Sequence, residues 1–198
     1  MCVSEKSISS SKQAEEYGVR QKTIWEFKRK MQLALYNQDI NFLNGTVLIT
    51  DFYVVGRNND QSENIVLVAM EVLNNGEIGK AYGLLLNCLS SEQIHRFFGQ
   101  HIKADAKVYI SKDRNYEHYI SNYHIETNEN TAKLTQSFTH VSNLKNWLFG
   151  AHRHILPEYI QGYLNEYYFR FNRRNNRAMV FDEFIGLMML HQPYSKSK

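Results

Sequence analysis

A turn set between two apolar runs constrains this chain more than any other feature. Ile65 to Leu73 and Glu77 to Leu86 flank Asn74-Asn75-Gly76, whose turn chemistry joins two extended segments into a hairpin. Upstream, from Gly45, the residues Val47, Ile49, Asp51, Tyr53 and Val55 alternate with Thr46, Leu48, Thr50, Phe52 and Val54. Both sets are apolar enough for a strand covered on both faces. A loop from Arg57 to Glu63 separates this strand from the hairpin, so three antiparallel strands follow one another. Ser90-Ser91-Glu92-Gln93 then offers an N-cap to a helix running to about His101, and Lys107 to Ser111 is a short apolar strand.

The order βββαβ followed by helices is that of an RNase H-like fold. The expectation is an α/β protein with a mixed five-stranded sheet flanked by helices, its first and fourth strands side by side at the centre. In that architecture carboxylates on those two strands hold divalent metals. Asn122 to Thr135 is polar and irregular in composition. From Val141 onward the pattern is helical. Pro157 starts a long helix, Glu158 to Arg173, whose Ile160, Tyr163, Leu164, Tyr167, Tyr168 and Phe171 form one wide aromatic face. Phe181 to Leu190 is nearly all apolar and is expected to pack.

The first residues differ. Ser4 to Ser11 is a polar lead, and Lys12 to Tyr17 and Gln21 to Leu35 read as two helices around a Gly18-Val19 turn, a helix-turn-helix. Ala14, Val19, Ile24, Phe27, Met31 and Leu35 keep helical spacing, with Lys22, Arg29 and Lys30 on other faces. The expected division is residues 1–40 as the helix-turn-helix segment and 41–198 as the core. A length of 198 residues suits one domain with a small appendage. Two cysteines, Cys2 and Cys88, build neither a disulfide framework nor a zinc site alone, which points to a reducing compartment, the cytoplasm. No run approaches 18 apolar residues, and the polar start is unlike a signal peptide. A net charge of +3 is too mild to establish nucleic-acid binding by itself.

Several segments carry a resemblance. Leu43-Asn44-Gly45 leads into Val47-Leu48-Ile49-Thr50-Asp51-Phe52-Tyr53-Val54-Val55-Gly56. Ser62-Glu63-Asn64 and Ser142-Asn143-Leu144-Lys145 follow, with Gly150 and His152. Then comes Tyr163-Leu164-Asn165-Glu166-Tyr167-Tyr168-Phe169-Arg170-Phe171-Asn172-Arg173-Arg174, with Phe181-Asp182 beyond. In this order, over roughly residues 10 to 190, the chain resembles the ISXO-like insertion-sequence transposases, a DDE-superfamily branch with an RNase H-like core. That resemblance implies DNA strand transfer assisted by two Mg²⁺ ions. It also implies an Asp on the first strand in the context Asp-(Glu/Asp)-x-Tyr and a second Asp at the end of the fourth strand, five residues before an aromatic. The third position is a Glu or Asn on the following helix near a Lys.

Carried over by position, Tyr53 puts the first acid at Thr50, with Asp51 at a neighbouring, less critical acidic place. Tyr116 puts the second at Ser111, with Asp113 two residues on. Asn143, two before Lys145, fits the third. Neutral hydroxyls do not replace two carboxylates for Mg²⁺, so the resemblance implies a degenerate enzyme with no metal and no cofactor expected. The alternative is an active Mg²⁺-dependent transposase using Asp51, Asp113 and Asn143; because strand residues alternate, Asp51 would need a bulge to join Thr50's face. The resemblance further implies a cysteine zinc ribbon ahead of the helix-turn-helix, for which these residues hold no motif.

DNA is the expected partner, with no membrane contact. Arg20, Gln21, Lys22 and Thr23, at the start of the second helix, are placed to touch a groove. Lys145, Arg153, Arg170, Arg173, Arg174 and Arg177, with His152 and His154, form a basic region opposed only by Glu158 and Glu166. It reads either as a phosphate-contacting face, with Lys145, Arg153, Arg173 and Arg174 as DNA-binding residues and Lys145 foremost, or as a helix end in which Arg170 pairs with a core acid. His140, His152 and His154 lack the partners of a zinc site. The aromatics from Tyr163 to Phe171 read as core rather than as a base-stacking platform. A third reading is a scaffold without DNA, which forms a homodimer through a sheet edge or the last helix.

Overall fold

The computed structural model describes residues 8–35, 42–54, 64–86, 90–110, 123–127, 131–151 and 155–190. It begins with two helices, α1 (Ser10–Tyr17) and α2 (Gln21–Ala34). Ser9 caps α1 by accepting from Lys12 N–H, and Gly18 ends it at φ +63°, a left-handed conformation that favours glycine. Strands β1 (Thr46–Val54), β2 (Asn64–Val72) and β3 (Ile78–Leu86) follow, then α3 (Ser91–His101), β4 (Lys107–Ile110), β5 (His124–Thr127), α4 (Thr131–Ala151), α5 (Pro157–Asn172) and α6 (Arg177–Leu190).

The sheet is mixed, in the order β3-β2-β1-β4-β5, with β2 and β3 antiparallel neighbours and β4 parallel to β1. The first and fourth strands therefore lie side by side, an arrangement compatible with an RNase H-like core. Between β2 and β3, Gly76 takes φ +83° and donates to Leu73 C=O, as the Asn-Asn-Gly sequence requires. Residues 123–127 and 131–135 are more regular than the polar composition of this stretch indicates. β5 is held by parallel pairing with β4, and α4 begins at Thr131, ten residues before the helical pattern becomes legible at Val141. Ser90 takes the N-cap place of α3, but its side chain makes no capping hydrogen bond.

Two helical layers cover the sheet. Val47, Ile49, Leu67, Ala69 and Val108 pack under Ile94, Phe97 and Phe98 of α3. Leu48, Phe52, Val54, Val66, Val68 and Met70 pack under Leu144, Trp147 and Leu148 of α4 and Ile160, Tyr163, Leu164 and Tyr168 of α5. The aromatic face of α5 thus belongs to the core. A third cluster joins Met31 and Leu35 to Phe169, Val180 and Phe184, so the N-terminal helices dock on α5 and α6.

That docking corrects the face expected of α2. Ile24, Lys28, Met31, Gln32 and Leu35 are buried, whereas Val19 and Phe27 are exposed. The covered stripe follows the helix geometry i, i+4, i+7, i+8, i+11, which leaves Phe27 to one side and draws two polar residues in. α6 is corrected as well. Val180 and Phe184 pack, but Met179, Phe181, Ile185, Met189 and Leu190 stay exposed. Among the described residues no helix is long and apolar enough to cross a membrane.

Candidate functional site

The centre of the sheet places the candidate metal positions. β1 pairs with β2 one for one from Thr46↔Val72 to Val54↔Asn64, without a register shift. Strict alternation therefore holds along β1. Val47 and Ile49 face α3, and Leu48, Phe52 and Val54 face α4 and α5. Thr50 shares the α4 side and Asp51 the α3 side. No bulge among these residues turns Asp51 toward α4.

α4 packs on the sheet face that carries Leu48 and Phe52. Asn143 and Lys145 are exposed on α4, and the Lys145 ammonium stands 4.8 Å from the centroid of the Phe52 ring, two residues beyond Thr50 on the same face. On the β4 side, Ile49 pairs with Ile110, the last described residue of that strand. Ser111 and Asp113 lie outside the described residues, as do Arg153, His152 and His154. Among the described candidate positions, Thr50 and Asn143 carry neutral donors, whereas a two-Mg²⁺ centre needs anionic oxygens. Among the described residues no three of His, Cys, Asp and Glu come together as a metal cluster.

The basic residues of α5 turn inward. Arg170 pairs with Glu166 at 2.5 Å, and Glu166 is 3% exposed, so the core-acid reading of Arg170 holds. Arg173 pairs with Glu183 of α6, and its guanidinium lies 4.0 Å over the Phe169 ring. Arg174 donates to the backbone carbonyls of Ile78, Gly79 and Phe171 and stacks 4.2 Å over Phe171. In contrast, Arg20, Gln21, Lys22 and Thr23 are all exposed at the start of α2.

How α5 treats the β3 edge has no signal along the chain. Gln161 accepts from Leu85 N–H at 2.8 Å and donates to Gly83 C=O, while Asn172 accepts from Ala81 N–H at 2.9 Å and donates to Ala81 C=O. Two side-chain amides, three helical turns apart, thus take the place of a further strand. Their spacing becomes informative only once α5 is known to lie along that edge. A cleft of about 180 Å³ runs there between Phe97 and His101 of α3 and Gln161 and Asn165 of α5, two strands away from Thr50.

Burial tunes several groups around these helices. Gln32 of α2 donates to Glu166 at 2.9 Å, and burial lowers the Lys28 pKa, a shift opposed by the nearby Glu166 charge. Arg29 lies over the rings of Tyr159 and Tyr163 rather than on a free face. His140 is buried among Tyr167, Tyr168 and Phe171, and desolvation, with a smaller push from Arg174, brings its pKa down to about 4.

A mixed sheet with β1 and β4 side by side and helices on both faces is compatible with an RNase H-like core. Residues 42–172 match the family model of the ISXO2-like transposase domain, so the chain belongs to that family of insertion-sequence transposases in the DDE superfamily. No curated protein matches the chain.

Proposed function

We propose that this chain is a transposase-derived DNA-binding protein that has lost metal-dependent strand cleavage. The observation that carries this reading is the division of Thr50 and Asp51 between the two faces of β1 within an unshifted register. The family position for the first carboxylate holds a hydroxyl, and the adjacent carboxylate is directed to α3. Ser111 in place of the second acid removes another negative charge by the same positional argument. Without those charges the face of α4 that carries Asn143 and Lys145 attracts phosphate but does not gather Mg²⁺.

DNA contact is assigned to the exposed cations: Arg20 and Lys22 at the start of α2, and Lys145 on α4. The helix-turn-helix reading of α1 and α2 is supported by that exposure and by the Gly18 turn. Arg173 and Arg174 are reassigned from phosphate contact to holding α5 against α6 and β3. Binding of the full chain to duplex DNA, measured against salt, tests the assignment. R20A/K22A is expected to reduce the salt slope by about two, and R174A to leave it unchanged. Salt-independent failure to bind would instead favour a scaffold without DNA. Robust Mg²⁺- or Mn²⁺-dependent nicking, abolished by D51A or D113A, would establish the active reading.

A further inference from the structure

One stripe of α4 carries rings into solvent. The helix buries His140, Leu144, Trp147 and Leu148, while Phe138, Ser142, Lys145 and Phe149 are exposed. At about 100° per residue those four lie within about 60° of arc, a line about 16 Å long with an aromatic ring at either end. Phe138 is 66% exposed and Phe149 39%. Neighbouring rings of this layer have ring partners, Trp147 against Tyr163 and Tyr167, Phe171 against His140 and Tyr167. Among the described residues Phe138 and Phe149 have none.

Charge selects what covers the stripe. From Thr131 to Ala151 the helix has two lysines and no Asp or Glu. Lys145 is braced 4.8 Å from the centroid of the Phe52 ring and pairs with no acid among the described residues. Such a helix attracts phosphate. Its apolar side already covers the sheet, which leaves none to enter a membrane. Two rings about 16 Å apart, with a hydroxyl and an ammonium between them, make no continuous apolar patch for a protein face. Isolated rings beside a cation suit a nucleic-acid strand. Rings stack on base faces, the ammonium meets phosphate, and Ser142 within the stripe and Asn146 beside it offer hydrogen bonds to base edges.

We propose that this stripe binds single-stranded DNA, Phe138 and Phe149 each stacking on an unpaired base and Lys145 holding the phosphates between them. The inference rests on the reading of the chain as a DNA-binding protein and adds a second form of its ligand. In a duplex both faces of a base are covered by its neighbours, and inserting a ring requires unstacking a step. An unpaired base needs no such opening. The rings are too far apart to clasp one base, so each takes its own, about five positions apart at the spacing of a stacked strand.

Fluorescence anisotropy of the full chain tests this with three probes of about 12 nucleotides: oligothymidylate, an abasic strand and a duplex. The wild-type chain is expected to bind oligothymidylate about tenfold or more tightly than the abasic strand, which has the phosphates without the bases. F138A and F149A are each expected to weaken oligothymidylate binding about tenfold, with duplex binding and circular dichroism unchanged. Phe138→Trp keeps a ring and is expected to retain the affinity, whereas Phe138→Leu keeps apolar bulk alone and is expected to lose it. R20A/K22A is expected to weaken the duplex and spare the single strand. Equal binding of the two single strands, or oligothymidylate binding indifferent to both alanine variants, overturns the proposal, and duplex binding in the same experiment leaves the DNA-binding reading standing. A chain that binds neither single strand nor duplex, whether or not phosphatidylserine vesicles capture it through Phe138, overturns both.

Discussion

Thr50 and Asp51 are consecutive on β1 and face opposite helical layers, Thr50 toward α4 and Asp51 toward α3. A one-residue difference along a strand is a half-turn in direction, so Asp51 does not reach Thr50's face by proximity in sequence. Restoring charge on the α4 side is therefore the direct way to rebuild a metal site. The double variant T50D/S111D is expected to bind Mn²⁺ about tenfold or more tightly than wild type by calorimetry, and the neutral control T50N/S111N is not.

Glu166 holds the N-terminal helices to the core. It accepts from Gln32 of α2 and pairs with Arg170 while almost fully buried. Glu166→Ala leaves the Arg170 and Lys28 charges without their counter-ion and is expected to destabilise the fold by about 3 kcal/mol in urea unfolding. The exposed pair Arg96–Glu92 provides the contrast, since Glu92→Ala is expected to change stability by less than about 1 kcal/mol.

Asn172 satisfies both backbone groups of Ala81. Asn172→Leu strands that N–H and C=O at a buried position and reopens part of the β3 edge. The expected loss is about 2 kcal/mol, together with faster concentration-dependent aggregation by light scattering.

His140 predicts an acid-side loss of stability. Its folded pKa of about 4 lies below the ordinary 6.5, because desolvation and then Arg174 disfavour the imidazolium. The unfolded chain therefore takes up a proton first as pH falls. The contribution is fully present above about pH 6.5 and declines progressively toward pH 4, by about 3 kcal/mol in total. Urea midpoints at pH 7.5, 6 and 5 are expected to follow that decline, and His140→Phe to flatten it.

Strands β1 to β3 were legible because their signals are local: an Asn-Asn-Gly turn between apolar runs, and a doubly apolar central strand; β5, within a polar stretch, was not. The helix pair around Gly18 was legible for the same reason. The tail of α5 was read only in outline. Arg173 and Arg174 look like a solvated basic run, yet their partners, Glu183 and the carbonyls of Ile78 and Gly79, are distant elements that no spacing along α5 reveals. Lys28 and Gln32 were hidden likewise, since their burial follows from what α5 presents to α2. At α6 the apolar composition predicted packing, and only the fold shows that one side of the helix has no neighbour among the described residues. The unshifted β1 register, which decides where Asp51 faces, was not readable from sequence.

With Thr50 and Ser111 in place of carboxylates, the proposed transposase-derived core lacks metal-dependent chemistry. Nicking of supercoiled plasmid by the full-length wild-type chain in Mg²⁺ or Mn²⁺, run beside a calorimetric titration of the same ions, tests it most directly. The expected result is no specific divalent binding and no cleavage above a metal-free control, with duplex DNA still bound. Metal-dependent nicking that D51A or D113A abolishes would contradict it.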